Sequence, residues 1–315
     1  MTDAESIRQE QAELEQRFGP WTAHNIRLAD GVWTMSESPT GDEVKLRRVT
    51  QVVSDLFGGE LAGLRVLDLA CLEGMYALEL ARRGAEVLGI EGREANLEKA
   101  RFAARALGLE VDFHRGDVRD LDRAEHGEFD VVLCLGILYH LDHPDVFELV
   151  ERIASVCRRA LVVDTHVALA DEDAQTWAGR TYHGHSLFEH DPSSTEEERL
   201  QALWSSLENP SAWAPTRPSL LSLLARSGFT SAYECWVPAE PDKTPDRITV
   251  LALKGKPETE LITPSPAADP ATVPERPPLG ARLPGSRVMS VGRAALPKPL
   301  RAHVRRLLGM ETRRY

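Results

Sequence analysis

The chain has 315 residues and a formal net charge of −12, with 37 basic residues against 49 acidic ones. This length is enough to bury a full hydrophobic core in one large domain or two, and an acidic chain does not bind nucleic acid by default. The four cysteines stand singly without a Cys-x-x-Cys pair, and neither a secretion signal nor a stretch of about 20 apolar residues is present. We therefore expect a cytoplasmic protein with reduced thiols.

The first 60 residues predict a helical lid segment. A charged helical stretch covers residues 4–17, a loop-rich segment runs from Trp21 to Ser38, and a second helix is expected over residues 43–57. We treat residues 1–60 as one unit that leads into the main domain.

From residue 61 to 255, strand and helix signals alternate. Apolar runs rich in branched residues are separated by helical patterns that end at Gly84 and Gly108, which is typical of a doubly wound α/β sheet. The predicted strands cover residues 65–70, 86–91, 110–114, 129–135, 159–165, 230–237 and 247–254, and the predicted helices cover residues 74–83, 94–107, 144–156 and 217–227. We expect a mostly parallel seven-stranded sheet with one antiparallel edge strand, interrupted by a polar insertion over residues 167–215.

The C-terminal part of the chain changes in character. Eight prolines predict an extended linker over residues 256–284, and the chain after residue 275 carries ten basic residues against one acid. Residues 1–275 therefore have a net charge of −21 and the remainder +9. We expect a flexible basic tail over residues 285–315, with a short helix over 296–310. This helix can dock on a protein partner or make the protein peripheral at a membrane surface, or the tail can simply solubilise the chain.

Three acidic residues follow three consecutive strands of the predicted sheet. Asp68 begins a tight turn that ends at Gly74, Glu91 ends the second strand, and Asp117 follows the third. Such a turn presents backbone N–H groups to a ligand, and a carboxylate at the next strand end can accept hydrogen bonds from two ribose hydroxyls. Asp117 can accept a hydrogen bond from an adenine amine. The pattern predicts an adenosine-containing cofactor held by Asp68, Ala70, Gly74, Glu91, Asp117, Val118 and Leu135.

The acid-ended strands, with Phe129-Asp-Val-Val-Leu-Cys134 as the fourth, resemble class I S-adenosylmethionine (SAM)-dependent methyltransferases over residues 45–254. This resemblance implies a Rossmann-like fold and SAM as cofactor. Leu135-Gly-Ile-Leu-Tyr-His140 and the stretch from Asn209 to Phe229 are similar to the tRNA uridine carboxymethyltransferase family, which uses carboxy-SAM. That closer resemblance implies that the extra carboxylate of carboxy-SAM is held by Lys45, Tyr139 and Arg247.

The turn after the first strand departs from the glycine-rich pattern of these methyltransferases. Their usual acid-x-Gly-x-Gly-x-Gly sequence is here Asp68-Leu-Ala-Cys-Leu-Glu-Gly74, so Ala70 and Leu72 replace two glycines. Because a leucine does not adopt a positive φ cheaply, we expect this turn to differ in detail. The turn also lacks the Gly-x-Gly-x-x-Gly pattern of nicotinamide dehydrogenases, which argues against that class of enzyme.

Tyr139, His140 and His166 follow the fourth and fifth predicted strands, whose carboxyl ends are where open α/β sheets bind ligands. A neutral imidazole is suited to remove a proton from an acceptor hydroxyl, so His140 and His166 are the candidate bases and Tyr139 completes the candidate catalytic set. The alternative for each histidine is a structural role, as a helix cap or as a partner of a backbone carbonyl.

The insertion over residues 167–215 is expected to decide the acceptor. Its aromatic residues can form apolar walls for the acceptor or pack beneath the insertion, and they are Trp177, Tyr182, Trp204 and Trp213. Its histidines favour a substrate-facing lid over a metal site, because no third ligand has a fixed spacing, and they are His183, His185 and His190. We therefore predict no metal ion.

The main functional hypothesis is a SAM-dependent methyltransferase that acts on a hydroxyl of a small molecule or glycan. The first alternative is carboxy-SAM-dependent carboxymethyl transfer to a tRNA wobble uridine, against which the charge of −21 over residues 1–275 argues. The second alternative is a SAM-binding module without turnover that docks through its tail, and Leu72 in the turn motivates it.

Overall fold

The computed structural model describes residues 4–191, 193–202, 204–240, 243–258 and 262. The predicted basic tail, its helix and nearly all of the proline-rich linker lie outside these residues. No helix in the described part of the chain is long and apolar enough to cross a membrane.

Two helices and a small hairpin precede the central sheet. The helices α1 (Ala4–Phe18) and α2 (Asp42–Leu56) form where they are predicted. The segment between them, predicted as a loop, contains the antiparallel strands β1 (Arg27–Ala29) and β2 (Val32–Trp33). The N-terminal segment packs on the main domain because both helices bury apolar side chains in its core, including Ile7 and Val53.

The central sheet has seven strands among the described residues. They are β3 (Arg65–Leu69), β4 (Glu86–Glu91), β5 (Asp112–Arg115), β6 (Phe129–Leu135), β7 (Cys157–His166), β11 (Ser231–Glu234) and β12 (Arg247–Leu253). Their order across the sheet is β11-β12-β7-β6-β3-β4-β5, and β12 runs antiparallel to both of its neighbours. The remaining pairs are parallel, so the predicted α/β, mostly parallel seven-stranded sheet is confirmed.

The position of the antiparallel strand differs from the prediction, which placed it at the sheet edge. The edge strand is β11, and β12 lies between β11 and β7. The described residues between β11 and β12 contain no helix, so the chain turns back beside β11 instead of making the helical crossover that a parallel neighbour needs.

Helices cover both faces of the sheet. On one face lie α6 (Asp145–Val156) and α8 (Arg217–Arg226), and on the other lie α3 (Met75–Arg82) and α4 (Glu94–Leu107) together with α1 and α2. A short helix, α5 (Arg123–His126), precedes β6. The central strands are buried on both faces, which explains their nearly continuous apolar sequence.

The insertion after β7 is more regular than its polar sequence suggested. It contains β8 (Asp173–Trp177), β9 (Arg180–Phe188), a short helix α7 (Glu196–Gln201) and β10 (Ser211–Pro215). The three strands form an antiparallel sheet in the order β10-β9-β8. This sheet is fixed to the main domain by aromatic packing, since Tyr182 and Trp213 are buried with ring centroids 5.1 and 5.3 Å from that of Phe147 in α6.

Candidate active site

A cavity of about 230 Å³ lies at the carboxyl ends of the parallel strands. The turn after β3, the end of β4, the loop after β5 and the loop after β6 supply one part of its wall. The N-terminal segment and residues 204–209 of the insertion supply the rest. The cavity therefore lies where an open α/β sheet is expected to bind a ligand, and the insertion reaches it directly.

The turn after β3 has three residues in the left-handed region, with φ of 52° at Ala70, 48° at Leu72 and 84° at Gly74. Leu72 therefore adopts the positive φ that is costly for a leucine. Holding a residue with a side chain in this region costs about 1–2 kcal/mol, and such strain persists where the surrounding structure demands the turn. Ala70 and Leu72 line the cavity, whereas Gly74 packs inside, where a Cβ would lie 3.0 Å from Ala100 and Phe113.

Glu91 ends β4 and lines the cavity beside this turn. Its Oε2 accepts from the backbone N–H of Leu72 at 3.0 Å, and its Oε1 accepts from the backbone N–H of Arg93 at 2.9 Å and from Asn96 at 3.3 Å. Burial raises the pKa of Glu91, while these donors oppose the rise. Glu91 thus couples the strained turn to the next strand end. Three of the roughly four lone-pair sites of its carboxylate are used by these donors, which leaves about one for a ligand hydroxyl.

Asp117 and Val118 line the cavity at the end of β5, as predicted, but the carboxylate of Asp117 already has a strong partner. Arg119 donates to it from Nε at 3.0 and 2.9 Å, from Nη2 at 2.5 Å and from its backbone N–H at 2.8 Å. Burial raises the pKa of Asp117 and these Arg119 bonds more than offset it, so the pKa lies below its usual value. The predicted bond from an adenine amine must share this carboxylate with Arg119.

Asp68 and Leu135 occupy different positions relative to the cavity. Leu135, at the end of β6, lines it. Asp68 lies beneath the turn, where burial and then the nearby Glu91 raise its pKa to about 7, although the backbone N–H of Ala77 opposes the rise. Its Oδ2 has no hydrogen-bond partner among the described residues.

His140 and Glu189 form a hydrogen-bonded pair at the cavity wall. His140 lines the cavity, and its Nδ1 lies 2.9 and 3.0 Å from the two carboxylate oxygens of Glu189. Glu189 is at the end of the insertion's sheet, is almost fully buried and also accepts from the backbone N–H of Ser206 at 2.7 Å. A carboxylate at Nδ1 fixes the tautomer with hydrogen on Nδ1, which leaves Nε2 able to accept a proton. No sequence pattern points to Glu189, because it lies 49 residues from His140.

The other candidate base, His166, lies behind the cavity wall and is held on both ring nitrogens. Its Nδ1 is 2.6 Å from Asp246, and its Nε2 is 3.1 Å from Nη1 of Arg247. Because a guanidinium only donates, Nε2 of His166 must act as the acceptor and its lone pair is already used. The predicted role of His166 as a base is therefore less suited to this geometry than that of His140.

Lys45, Tyr139 and Arg247 come together in the cavity around Asp164, which is fully buried at the end of β7. Arg247 donates to Asp164 from Nε at 2.7 Å, lies 2.5 Å from it through Nη2, and donates to the hydroxyl of Tyr139 at 3.3 Å. Lys45 is 3.9 Å from Asp164. Burial raises the pKa of Asp164, but Arg247, then Lys45, and the Thr249 hydroxyl hold it below its usual value.

Residues 204–209 of the insertion connect the two sides of the cavity. On one side, Nη2 of Arg93 donates to the carbonyl oxygens of Ala202 at 3.0 Å and Ser205 at 2.9 Å. Leu207 packs so closely on Gly92 that a Cβ there would lie 2.2 Å from its Cδ1. On the other side, the N–H of Ser206 orients Glu189. Trp204 stays exposed at the rim of the cavity.

The N-terminal segment is held over the cavity by a buried glutamate that sequence reasoning did not identify. Glu73, in the turn after β3, accepts from the backbone N–H groups of Thr22, Ala23 and His24 at 2.8 to 3.0 Å. Lys99 lies 3.5 Å from Glu73 and donates to the carbonyl of Pro20 at 2.7 Å. Ala23 and His24 are thereby placed in the cavity wall.

The histidines of the insertion do not gather around one point. His183 lies 2.9 Å from Asp171, His185 lies 2.9 Å from Glu172, and Nε2 of His190 donates to the carbonyl of Ser206 at 2.7 Å. In the described ranges no group of three or more His, Cys, Asp or Glu side chains is arranged to hold a metal ion.

The sheet order, the antiparallel β12 and the ligand cavity at the strand ends define the class I methyltransferase fold. Residues 66–160 match a protein family described as a methyltransferase domain. The chain thus carries a SAM-dependent methyltransferase domain, and SAM is its cofactor. The cavity fits this cofactor, since it combines a buried carboxylate beside a helix N-terminus with the hydroxyl of Tyr76, which has no hydrogen-bond partner among the described residues.

Similar proteins agree on this class. A ubiquinone biosynthesis O-methyltransferase from Maricaulis maris (strain MCS10) is 36% identical over 108 residues, covering 33% of this chain and 42% of the relative. Another with the same name, from Alkalilimnicola ehrlichii (strain ATCC BAA-1101 / DSM 17681 / MLHE-1), is 40% identical over 125 residues, covering 38% of this chain and 50% of the relative. The chain therefore matches half or less of the length of these relatives.

One group of solved structures is similar over most of the chain. The N-terminal domain of EvdMO1, crystallised in the presence of S-adenosylhomocysteine (SAH) and D-fucose, has 27% sequence identity and a TM-score of 0.61. The match covers 81% of this chain and 98% of that domain. A second crystal structure of the same domain, with SAH bound, gives a TM-score of 0.62.

Proposed function

We propose that this protein transfers the methyl group of SAM to a hydroxyl of a small, polar acceptor, with a sugar as the favoured class. The observation that carries the proposal is the His140–Glu189 pair, which places a proton acceptor in the wall of the cofactor cavity. Transfer of a methyl group to a hydroxyl requires alignment of the acceptor and removal of one proton, and this pair is suited to the second requirement.

The chemistry divides between the cofactor and the chain. SAM supplies an electrophilic methyl group, so a carbon–oxygen bond forms to the acceptor as the carbon–sulfur bond breaks. Nε2 of His140 takes the hydroxyl proton, and Glu189 stabilises the resulting imidazolium through Nδ1. Glu189 does not reach the cavity and is therefore a positioning residue. Tyr139 packs beside His140, with ring centroids 4.2 Å apart, and limits the orientations of the acceptor.

The polarity of the acceptor side supports a hydroxylated acceptor over a lipid-like one. The rim near His140 carries Arg119, Glu208 and Asn209, and Trp204 offers an exposed aromatic face on which a sugar ring can stack. The relatives named ubiquinone biosynthesis O-methyltransferases support an oxygen acceptor on a small molecule. The presence of D-fucose with the EvdMO1 domain supports a sugar as that molecule.

The experiment is transfer of an isotopically labelled methyl group from SAM to a panel of sugars and phenols, detected by mass spectrometry. We expect transfer to at least one polyhydroxylated acceptor, and a loss of about 10²–10⁴-fold in rate in His140→Ala at unchanged SAH affinity. Transfer only to phenols would change the proposed acceptor class from sugars to phenols. Absence of any transfer while SAM is bound would favour the alternative of a SAM-binding module without turnover.

A second candidate is carboxymethyl transfer from carboxy-SAM, and one observation favours it. Lys45, Tyr139 and Arg247, the residues implied by the resemblance to tRNA uridine carboxymethyltransferases, line one cavity. One observation argues against carboxymethyl transfer. The guanidinium of Arg247 is already paired with Asp164, so less positive charge remains to bind the carboxylate of carboxy-SAM. The relatives reported above do not support that family. Titration of SAM and carboxy-SAM separates the two candidates, and we expect SAM to bind more tightly.

A further inference from the structure

One end of the cavity carries four polar side chains that the proposed reaction does not use. His24, Asp42, Lys45 and Tyr76 line it, and all come from the N-terminal segment or the first turn of α3. Glu91 and Val118 define where the ribose and adenine lie, on the side of β4 and β5. The part of the cofactor that remains to meet these four side chains is its amino-acid end, which bears a carboxylate and an ammonium group.

Two hydrogen-bond donors at this end have no acceptor in the described structure. The hydroxyl of Tyr76 is buried without a hydrogen-bond partner, although the residue is only 5% exposed. The ammonium of Lys45 lies 3.6 Å from Asp42 and 3.9 Å from Asp164, beyond hydrogen-bond distance from either carboxylate. A buried donor without a partner is costly, so the Tyr76 hydroxyl is expected to bind something in the cavity. The Lys45 ammonium has Asp42 and Asp164 only at ion-pair distance, so it can also donate a hydrogen bond to a ligand there.

His24 supplies a third donor beside Tyr76, and the two ring centroids are 5.6 Å apart. Its Nδ1 accepts from the backbone N–H of Met75 at 3.2 Å, so the hydrogen of the neutral ring is on Nε2. Burial lowers the pKa of His24 to about 4, against the opposing effect of Glu73 and Asp42. The ring is therefore neutral at physiological pH and donates without adding charge.

We propose that Lys45 and Tyr76 bind the carboxylate of the amino-acid end of SAM, and that Asp42 binds its ammonium group. Asp42 and Lys45 lie three residues apart on α2 and present opposite charges to the cavity, which complements a zwitterion. Arg247 is not available for this role, because its guanidinium is bonded to Asp164, Tyr139 and His166. The proposal rests on the assignment of SAM as the cofactor. In it, Lys45 binds the carboxylate of the methionine part of SAM and not the extra carboxylate of carboxy-SAM.

The test compares two ligands by calorimetric titration of the full chain. SAH contains the amino-acid end, whereas 5′-methylthioadenosine keeps the adenosine and the sulfur and lacks that end. In Lys45→Met we expect SAH affinity to fall about ten- to hundred-fold and methylthioadenosine affinity to stay within about three-fold. Tyr76→Phe removes a single oxygen and should weaken SAH selectively by about five- to ten-fold. Asp42→Asn should also weaken the binding of SAH and leave the affinity for methylthioadenosine unchanged.

A matched control lies on the same helix. Arg47 is exposed and does not line the cavity, so Arg47→Met removes a charge from α2 without touching the ligand and should change neither affinity. Equal losses for both ligands in Lys45→Met and Tyr76→Phe, or no loss for SAH in either, would overturn the proposal. Failure of the unsubstituted chain to bind either ligand would instead contradict the cofactor assignment.

Discussion

The cofactor side and the acceptor side of this cavity are built in different ways. The cofactor side comes from consecutive strand ends of one buried sheet, where Glu91, the strained turn and Val118 lie within about 50 residues of sequence. The acceptor side joins the loop after β6 to an insertion, so His140 meets Glu189 only through tertiary structure. The comparison teaches that the proposed adenosine site is encoded locally, whereas the proposed base and its partner are assembled across the fold.

The largest expected change on the acceptor side is a loss of turnover in Glu189→Gln. An amide can donate to Nδ1 of His140 and shift its hydrogen to Nε2, which removes the proton acceptor from the cavity. We expect kcat for methyl transfer to fall about hundred-fold, with SAH affinity within about two-fold of the unsubstituted chain. Glu172→Gln makes the same change in the His185 pair outside the cavity and should leave kcat unchanged.

The converse substitution is Glu91→Ala, on the cofactor side. Loss of the carboxylate that we propose to face the ribose should weaken SAH binding about ten- to hundred-fold, and saturating SAM should restore most of the rate. Glu86→Ala, at the other end of β4, is the control, because it removes an exposed carboxylate remote from the cavity. Unchanged SAH affinity in Glu91→Ala would contradict the assignment of the ribose position.

Residues 204–209 contact both sides of the cavity, so a change there should affect cofactor affinity and turnover together. Arg93→Ala removes the donor that holds Ala202 and Ser205, and through Ser206 it loosens Glu189. We expect SAH affinity and kcat to fall together, each by about three- to ten-fold. Arg115→Ala removes an exposed arginine from the end of β5 and serves as control. An effect on affinity alone would show that this segment does not couple the two sides.

The last effect concerns stability instead of binding or rate and belongs to the cofactor side alone. Burial raises the pKa of Asp68 from 3.8 to about 7, so its favourable contribution is complete below pH 3.8 and is lost as the pH rises through about 7. In ligand-free protein, the unfolding free energy of Asp68→Asn relative to the unsubstituted chain should therefore rise by about 1–3 kcal/mol between pH 4 and pH 8. The measurement is urea unfolding of both proteins at several pH values. A difference in unfolding free energy that does not change with pH would contradict the raised pKa of Asp68.

Sequence reasoning predicted the regions whose patterns are local. The bounds of β4 and α4 match the predicted residues 86–91 and 94–107, because burial and helix caps leave a periodic signal. Glu91 was placed correctly at a strand end for the same reason. The conformation of the turn could not be predicted at Leu72, because the fold holds there a left-handed conformation that the residue's own preference opposes.

The rest could not be predicted because it depends on contacts between distant residues. The strands β8 and β9 are largely polar, and the aromatic residues that pack the small sheet on the core, including Tyr182 and Trp213, contact Phe147 far away in the sequence. Glu73 lies between two apolar runs and Glu189 lies in the polar insertion, and only tertiary structure shows that they bind the N-terminal backbone and His140. The antiparallel position of β12 depends likewise on how the chain returns after β11.

The most direct test of the account is a parallel measurement on the unsubstituted chain and His140→Ala. The two quantities are the transfer of labelled methyl from SAM to the sugar panel and the affinity for SAH. We predict that the unsubstituted chain methylates a sugar hydroxyl, and that His140→Ala loses this transfer by at least about hundred-fold while binding SAH equally well. Undiminished transfer in His140→Ala, or a parallel loss of SAH affinity, would contradict the division between a cofactor side and a base-bearing acceptor side.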